Sequence, residues 1–249
     1  MHLAEATWTD ADAADADIAV LPVGSTEQHG PHAPLGTDFL TAEAVAERGA
    51  ERYEADTGES VVVAPAIPVG VAEEHRQFTG TLWVSEDTFR DYVRETVESL
   101  QSHGWQRVVL LNGHGGNVAA LREVAARITR HSDGYATAFT WFDAVDPEAV
   151  AMGHGGPLET SALAHLHPEL VHEDRLDEAA EGGADGWGEW EQGVNLSYDS
   201  AEFSENGTVG DPREGDADVG ERLVDEAATA LSALLARVSE RESDLPEHR

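Results

Sequence analysis

The stretch Arg107-Val-Val-Leu-Leu-Asn112 most constrains what this chain can fold into. It is a short, nearly continuous apolar run that ends in a Gly-rich loop, the pattern of a strand buried on both faces. Residues 18–24 and 61–64 repeat it, and residues 135–142 alternate well enough for a further strand. Helical periodicity fills the intervals. A helix is expected over about 39–55. Ser85 can cap another, with Phe89, Val93, Val97 and Leu100 on one face and His103-Gly104 at its end. Asn117 can cap a third, with Val118, Leu121, Val124 or Ala125, and Ile128 inward. Residues 159–166 read as a short helix. A last one begins near Asp216 and carries Val219, Leu223, Ala227, Leu231, Leu234 and Val238 on one side. Strands alternating with helices give an α/β layered domain with a mostly parallel sheet.

Composition narrows the function classes. The 249 residues hold 15 basic and 49 acidic side chains, a formal net charge of −34, and all the basic ones are Arg. Such a charge repels phosphate backbones and anionic membranes, so nucleic-acid and membrane partners are not expected. The acids are spread along the chain among apolar periodicity, as in a folded protein with an acidic skin adapted to high salt. There is no Cys, which removes disulfides and thiolate chemistry. The first 17 residues lack an apolar signal core, and no stretch approaches the ~18 apolar residues of a membrane span. A cytoplasmic location is the expectation. One domain over 1–249 is expected, with its core at 18–238, an acidic, Gly-rich mobile insertion or lid at 178–200 and a frayed tail at 240–249.

The chemistry lies in three separated pieces. In Glu27-Gln28-His29 the acid and the imidazole are two positions apart, so an extended segment aims both at one centre. Asp38 follows after Pro31, Pro34 and Gly36. His114 lies within Asn112-Gly-His-Gly-Gly-Asn117, and His154 and Glu159 within His154-Gly-Gly-Pro-Leu-Glu159-Thr-Ser161. Ligands of parallel sheets gather outside the carboxyl ends of the strands, and two such loops on neighbouring strands would unite Glu27, His29, Asp38 and His114. Taken singly each is an ordinary polar loop residue. Jointly they are an oxygen and nitrogen donor set for hard or borderline divalent cations. The expected centre is binuclear: Glu27 and His114 on one ion, His29 on the other, Asp38 between them. Glu159 can complete the coordination at a helix N-terminus, and His154 can carry a proton to a leaving nitrogen. His32 is either a ligand, a hydrogen-bond partner of one, or a surface residue. His75 and Trp187 are candidate substrate contacts. Ser161 has no nucleophile elbow around it, and the Gly-rich loop fits no phosphate-binding pattern.

These residues carry a family resemblance. Leu21-Pro-Val-Gly-Ser-Thr-Glu-Gln-His-Gly-Pro-His32, Leu35-Gly-Thr-Asp38, His75-x-x-Phe78-x-Gly80-Thr81, Leu111-Asn-Gly-His-Gly-Gly-Asn117 and Glu159-Thr-Ser161 together resemble the creatininase (creatinine amidohydrolase) family over residues 18–238. The resemblance implies a three-layer αβα fold, a binuclear zinc, manganese or iron site and hexameric assembly. It also implies hydrolysis of a non-peptide or cyclic amide C–N bond by a metal-bound hydroxide. It places Glu27, His29, Asp38 and His114 on metal ligands and His154 on the proton-transferring histidine. One position departs: Gly116 stands where creatininases carry a metal-binding Glu, which leaves Glu159 or water to replace it. The Gly-Gly form is similar to relatives with other substrates, a formamide hydrolase of flavin and deazaflavin synthesis and a peptidase of mycofactocin maturation. Ser204-Glu-Asn-Gly-Thr-Val-Gly-Asp-Pro212 brings the chain closer to the peptidase. The substrate expected is a small-molecule amide or a short peptide. A metal-binding scaffold without turnover is the alternative from another class.

Overall fold

The computed structural model describes residues 1–146 and 149–241. Four strands, β1 (Ala16–Val23), β2 (Ser60–Val63), β3 (Arg107–Asn112) and β4 (Tyr135–Thr140), form a wholly parallel sheet in the order β2-β1-β3-β4. β1 and β3 are direct neighbours, in register from Ile18 opposite Arg107 to Val23 opposite Asn112. Their carboxyl ends therefore lie side by side, as the two-loop reading requires. Runs apolar at every position are explained by burial on both faces. Ile18, Val20, Val109 and Leu111 pack on one side; Ala19, Leu21, Val23, Val108 and Leu110 pack on the other.

Each face is covered by helices. The first packs against α2 (Thr37–Thr57), α5 (Pro157–Leu166) and α7 (Ala217–Ser239), through Ala42, Val45, Leu158, Leu223 and Leu231 among others. The second packs against α3 (Glu86–Ser102) and α4 (Val118–His131), through Phe89, Val93, Val97, Leu121 and Ile128. This is the expected three-layer αβα arrangement. The Ser85 hydroxyl accepts from Thr88 N–H and the Asp216 carboxylate from Val219 N–H, so both caps form. Among the described residues no helix is long and apolar enough to cross a membrane.

Several boundaries differ from the sequence reading. A short helix, α1 (Trp8–Asp12), closes on a Thr7/Asp10 capping box that the acidic first segment does not announce by periodicity. α2 begins at Thr37, so Asp38 sits in its first turn rather than in the preceding loop. β4 stops at Thr140, and residues 141–143 turn into a 3-10 segment that buries Trp141. α5 starts at Pro157, a residue pre-set for a first helical turn. Asn117 stands at the start of α4 but does not cap it with its side chain; Oδ1 accepts from Val71 N–H at 2.9 Å, and Nδ2 donates to Gly24 O at 3.0 Å. The 178–200 stretch contains regular structure. α6 (Leu176–Glu181) runs into it, and a hairpin of β5 (Trp190–Glu191) and β6 (Val194–Asn195) follows. Of the tail expected to fray, residues 242–249 lie outside the described residues.

Candidate metal centre and active site

Four pieces of chain meet at the carboxyl end of β1 and β3. The loop after β1 is closed by Glu27 N–H donating to Leu35 O, which holds Glu27 and His29 over the strand end. Asp38 enters from α2, where the helix N-terminus favours its negative charge. His114 follows β3 in a turn locked by Asn112, whose amide accepts from His114 N–H and donates to His114 O. The turn can pass so close to α2 only because residue 113 is Gly: a Cβ there would lie 2.2 Å from Asp38 O. Glu159, in the first turn of α5, is oriented by Gly155 N–H donating to Oε2 at 2.6 Å.

The donor atoms converge. His114 Nδ1 lies 3.1 Å from Glu27 Oε1 and 3.3 Å from Asp38 Oδ2. His29 Nε2 lies 3.1 Å from Asp38 Oδ1 and 3.7 Å from Glu159 Oε1. Asp38 thus faces one imidazole with each oxygen. The remote ring nitrogens are tied back: His114 Nε2 donates to Val71 O at 2.6 Å, and His29 Nδ1 to Glu27 O at 3.2 Å. Such backbone anchors fix the ring orientation and, once a cation displaces the second proton, present the facing nitrogen to it as a lone-pair donor. Both oxygens of Glu27, Asp38 Oδ2 and His29 Nε2 are buried without a hydrogen-bond partner. Orphaned buried charge of this kind is costly unless something neutralises it. Carboxylate and imidazole donors around one point suit divalent cations, and Glu27, His29 and Asp38 lie close enough to hold one.

The electrostatics agree. Burial works against charge on His29 and His114. Asp38 with Glu159 around the first, and Glu27 with Asp38 around the second, outweigh it and raise both well above the usual histidine range. Burial pushes Glu27 up to about 7. Burial also opposes ionisation of Asp38 and Glu159, but His29 and its neighbours prevail and hold both carboxyls below their usual values. A site that draws in protons so strongly draws in cations by the same field. His154 behaves differently. Burial, helped by His29, lowers it to about 4, so the ring is neutral near pH 7.

A cavity of about 490 Å³ opens over the centre, lined by His75, His114, His154 and Glu159 together with Glu74, Phe142, Met152, Asp185 and Trp187. Trp187 meets His75 edge-on at 5.7 Å and packs against Phe203. Sequence reading did not single out Glu74, Phe142, Met152 or Asp185. Glu74 had a signal in its position beside His75. The others depend on how distant loops fold back, through the bridges of Val209 to His154 and Ala184. His32 is buried, not a surface residue; its Nε2 lies 2.9 Å from Thr160 Oγ1, beside Glu159. Ser161 Oγ donates to Pro157 O and accepts from Asp216 N–H, a structural joint between α5 and α7.

Gly116 has a steric explanation. A Cβ there would meet Val71 O at 2.2 Å and His114 Nε2 at 2.5 Å. The carbonyl that anchors His114 occupies the space a side chain would need.

A buried cluster of acids and imidazoles at the end of a parallel sheet, under a cavity, has the donor set and the access that a metal-dependent hydrolase needs. The sequence pattern of the creatininase family, "Creatinine amidohydrolase", matches residues 4–235. The chain is 36% identical over 220 residues to the mycofactocin precursor peptide peptidase of Mycolicibacterium smegmatis, covering 88% of this chain and 85% of that one. It is 31% identical to the creatinine amidohydrolase of Pseudomonas putida, covering 71% and 75%. A manganese form of creatininase superposes with a TM-score of 0.74 at 26% identity, covering 95% and 97%, and a zinc–zinc form of a mutant with 0.73. The chain belongs to the creatininase family, and it is a hydrolase of amide C–N bonds.

Proposed function

We propose that the enzyme cleaves an amide bond of a short peptide or a small-molecule amide, with two divalent cations held by Glu27, His29, Asp38, His114 and Glu159. The observation that carries this reading is the pair of donor sets on either side of Asp38. Glu27, His114 and one Asp38 oxygen would hold one ion; His29, Glu159 and the other oxygen would hold the second. Glu159 takes the place of the ligand absent at Gly116. The donors suit zinc, manganese or iron. Bound cations would polarise the amide carbonyl and lower the pKa of a water.

The chain's own side chains do the rest. His154 Nε2 donates to Gln28 O at 2.6 Å, so Nδ1 is the bare nitrogen, 3.8 Å from Glu27 Oε1. Nδ1 takes a proton from the attacking water and returns it to the departing nitrogen. The lowered basicity of this ring makes the return easy. His75 and Trp187 form the substrate wall, and Trp187 shields the apolar side of the cavity.

The cavity admits either substrate class, since its volume falls within the ~300–1,000 Å³ of pockets for drug-sized ligands. The relative at 36% identity is a mycofactocin precursor peptide peptidase, which supports a peptide substrate. A panel of short peptides, creatinine, formamides and cyclic amides, assayed with zinc or manganese, tests the proposal. Turnover of peptides above the rest is expected. No metal-dependent turnover of any member would return the chain to a non-catalytic metal scaffold. Homo-oligomer assembly belongs to the same proposal, supported by the exposed Trp190, Val194, Leu196 and Tyr198 of the hairpin region. So does adaptation to high salt, supported by the acidic surface.

A further inference from the structure

Two histidines stand side by side over the centre, and their hydrogen bonds give them opposite characters. His75 and His154 stack with ring centres 4.3 Å apart and an 18° tilt. Gln28 touches both, through its side chain on one and its backbone carbonyl on the other.

The side-chain amide of Gln28 has a single permitted orientation. Oε1 accepts from Gly30 N–H at 2.9 Å, and Nε2 donates to Gly207 O at 3.1 Å. A backbone N–H can only donate and a carbonyl can only accept, so the amide cannot be flipped. The atom 2.8 Å from His75 Nδ1 is therefore an N–H donor. The Ser200 hydroxyl, 2.9 Å from Nδ1 and 3.0 Å from Glu74 O, can donate or accept, so the amide N–H decides: Nδ1 is the bare nitrogen, and the neutral His75 ring carries its proton on Nε2. His154 is the reverse case, with Nε2 committed to Gln28 O and Nδ1 bare.

This tautomer decides what His75 can do. Glu27, His75 and His154 lie near enough to one another to hold a cation. A ring nitrogen that already bears a proton cannot be a ligand, so His75 stands outside the donor set. Its Nε2 is 3.6 Å from Glu27 Oε1, beyond hydrogen-bond range, and the ring lines the cavity.

We propose that the Nε2–H of His75 is a fixed hydrogen-bond donor to the oxygen of the substrate's amide carbonyl, with Gln28 locking the tautomer. This rests on the hydrolase reading above. As the water oxygen bonds to the carbonyl carbon, the C=O π pair moves onto the carbonyl oxygen, and the bond from His75 strengthens with that charge. The pair returns as the C–N bond breaks, and the nitrogen leaves with the proton from His154 Nδ1. His75 loses no proton at any stage. A neutral imidazole can polarise a carbonyl in this way.

The experiment has three readouts. Nitrogen-15 NMR of the metal-loaded protein, with His75 identified by its absence from His75→Gln, should show a bare Nδ1 and a protonated Nε2. His75→Leu should keep the wild-type metal content and lose about 10²–10³-fold in kcat on the best substrate of the panel, with little change in KM. His75→Gln, which retains a donor, should recover part of that loss. A protonated Nδ1 in the wild type, loss of an ion in His75→Leu, or unchanged kcat in that variant would overturn the proposal. The NMR decides alone where His75→Leu does not fold. If no substrate is turned over, the hydrolase reading fails while the tautomer and metal count remain readable.

Discussion

The carboxylates of α3 and those of the metal centre are the same chemical groups under opposite conditions. On α3, Glu86, Asp87, Asp91, Glu95 and Glu98 stand in water around Arg90 and Arg94. At the centre, Glu27 and Asp38 are buried, and Glu27 has no hydrogen-bond partner at either oxygen. The exposed set is screened by any salt, its ion pairs with Arg90 and Arg94 included, because at 1 M the screening length falls to about 3 Å. The buried set is out of reach of monovalent screening and answers to ions that enter and bind. On the function proposed above, one chain would carry two separate demands for cations, one diffuse and one stoichiometric.

The strongest way to break this distinction is Asp38→Ala. It removes an oxygen from each donor set, so both ions should be lost and turnover should fall on the order of 10³-fold, the several kcal/mol that a Lewis-acid pair contributes. Elemental analysis still finding two ions per chain would defeat the shared role of Asp38. Stripping metal with a chelator should come next in size. Ions present at 100–1,000 times their Kd stabilise the fold by about 3–4 kcal/mol, so calorimetry should show Tm dropping by several degrees and returning with zinc or manganese but not with NaCl. Recovery with NaCl alone would merge the two demands into one. Glu159→Ala should be milder, taking the count from two ions to one and activity down about 10–100-fold. Two retained ions would show that water replaces the ligand absent at Gly116. The smallest effect belongs to the surface. Arg94→Ala should change stability by less than about 1 kcal/mol in dilute buffer and by nothing measurable in molar salt. The fold as a whole should gain stability as NaCl rises, and a cooperative transition in circular dichroism unaffected by salt would dismiss the halophilic reading.

The same contrast explains what could be read from the sequence. β1 and β3 are legible because burial on both faces leaves a run of Val, Leu and Ile that nothing else explains. Glu27, His29 and His114 follow those runs, so the strand-end rule carried them to one place without coordinates. Asp38 is legible as a candidate ligand but not as a helix residue, since Gly36 gives no side-chain cap to mark the start of α2. Gln28 was passed over between two acid–base residues, because its bonds to His75 and Gly207 span 47 and 179 positions. Asn117 looked like a helix cap for the same reason: its actual partners, Val71 and Gly24, are neighbours only in space. Local pattern reveals the candidate ligands, and long-range hydrogen bonding reveals what orients them.

Gly116 limits what its own position can become. The Val71 carbonyl fills the space next to it and at the same time steadies His114. A single codon change to Glu would meet backbone rather than an empty coordination position. The segment around Val71 would first have to retreat, and in retreating it would release the histidine that the new acid was meant to join. A side chain at position 116 is thus a two-site change, in which this residue and the segment around Val71 must alter together.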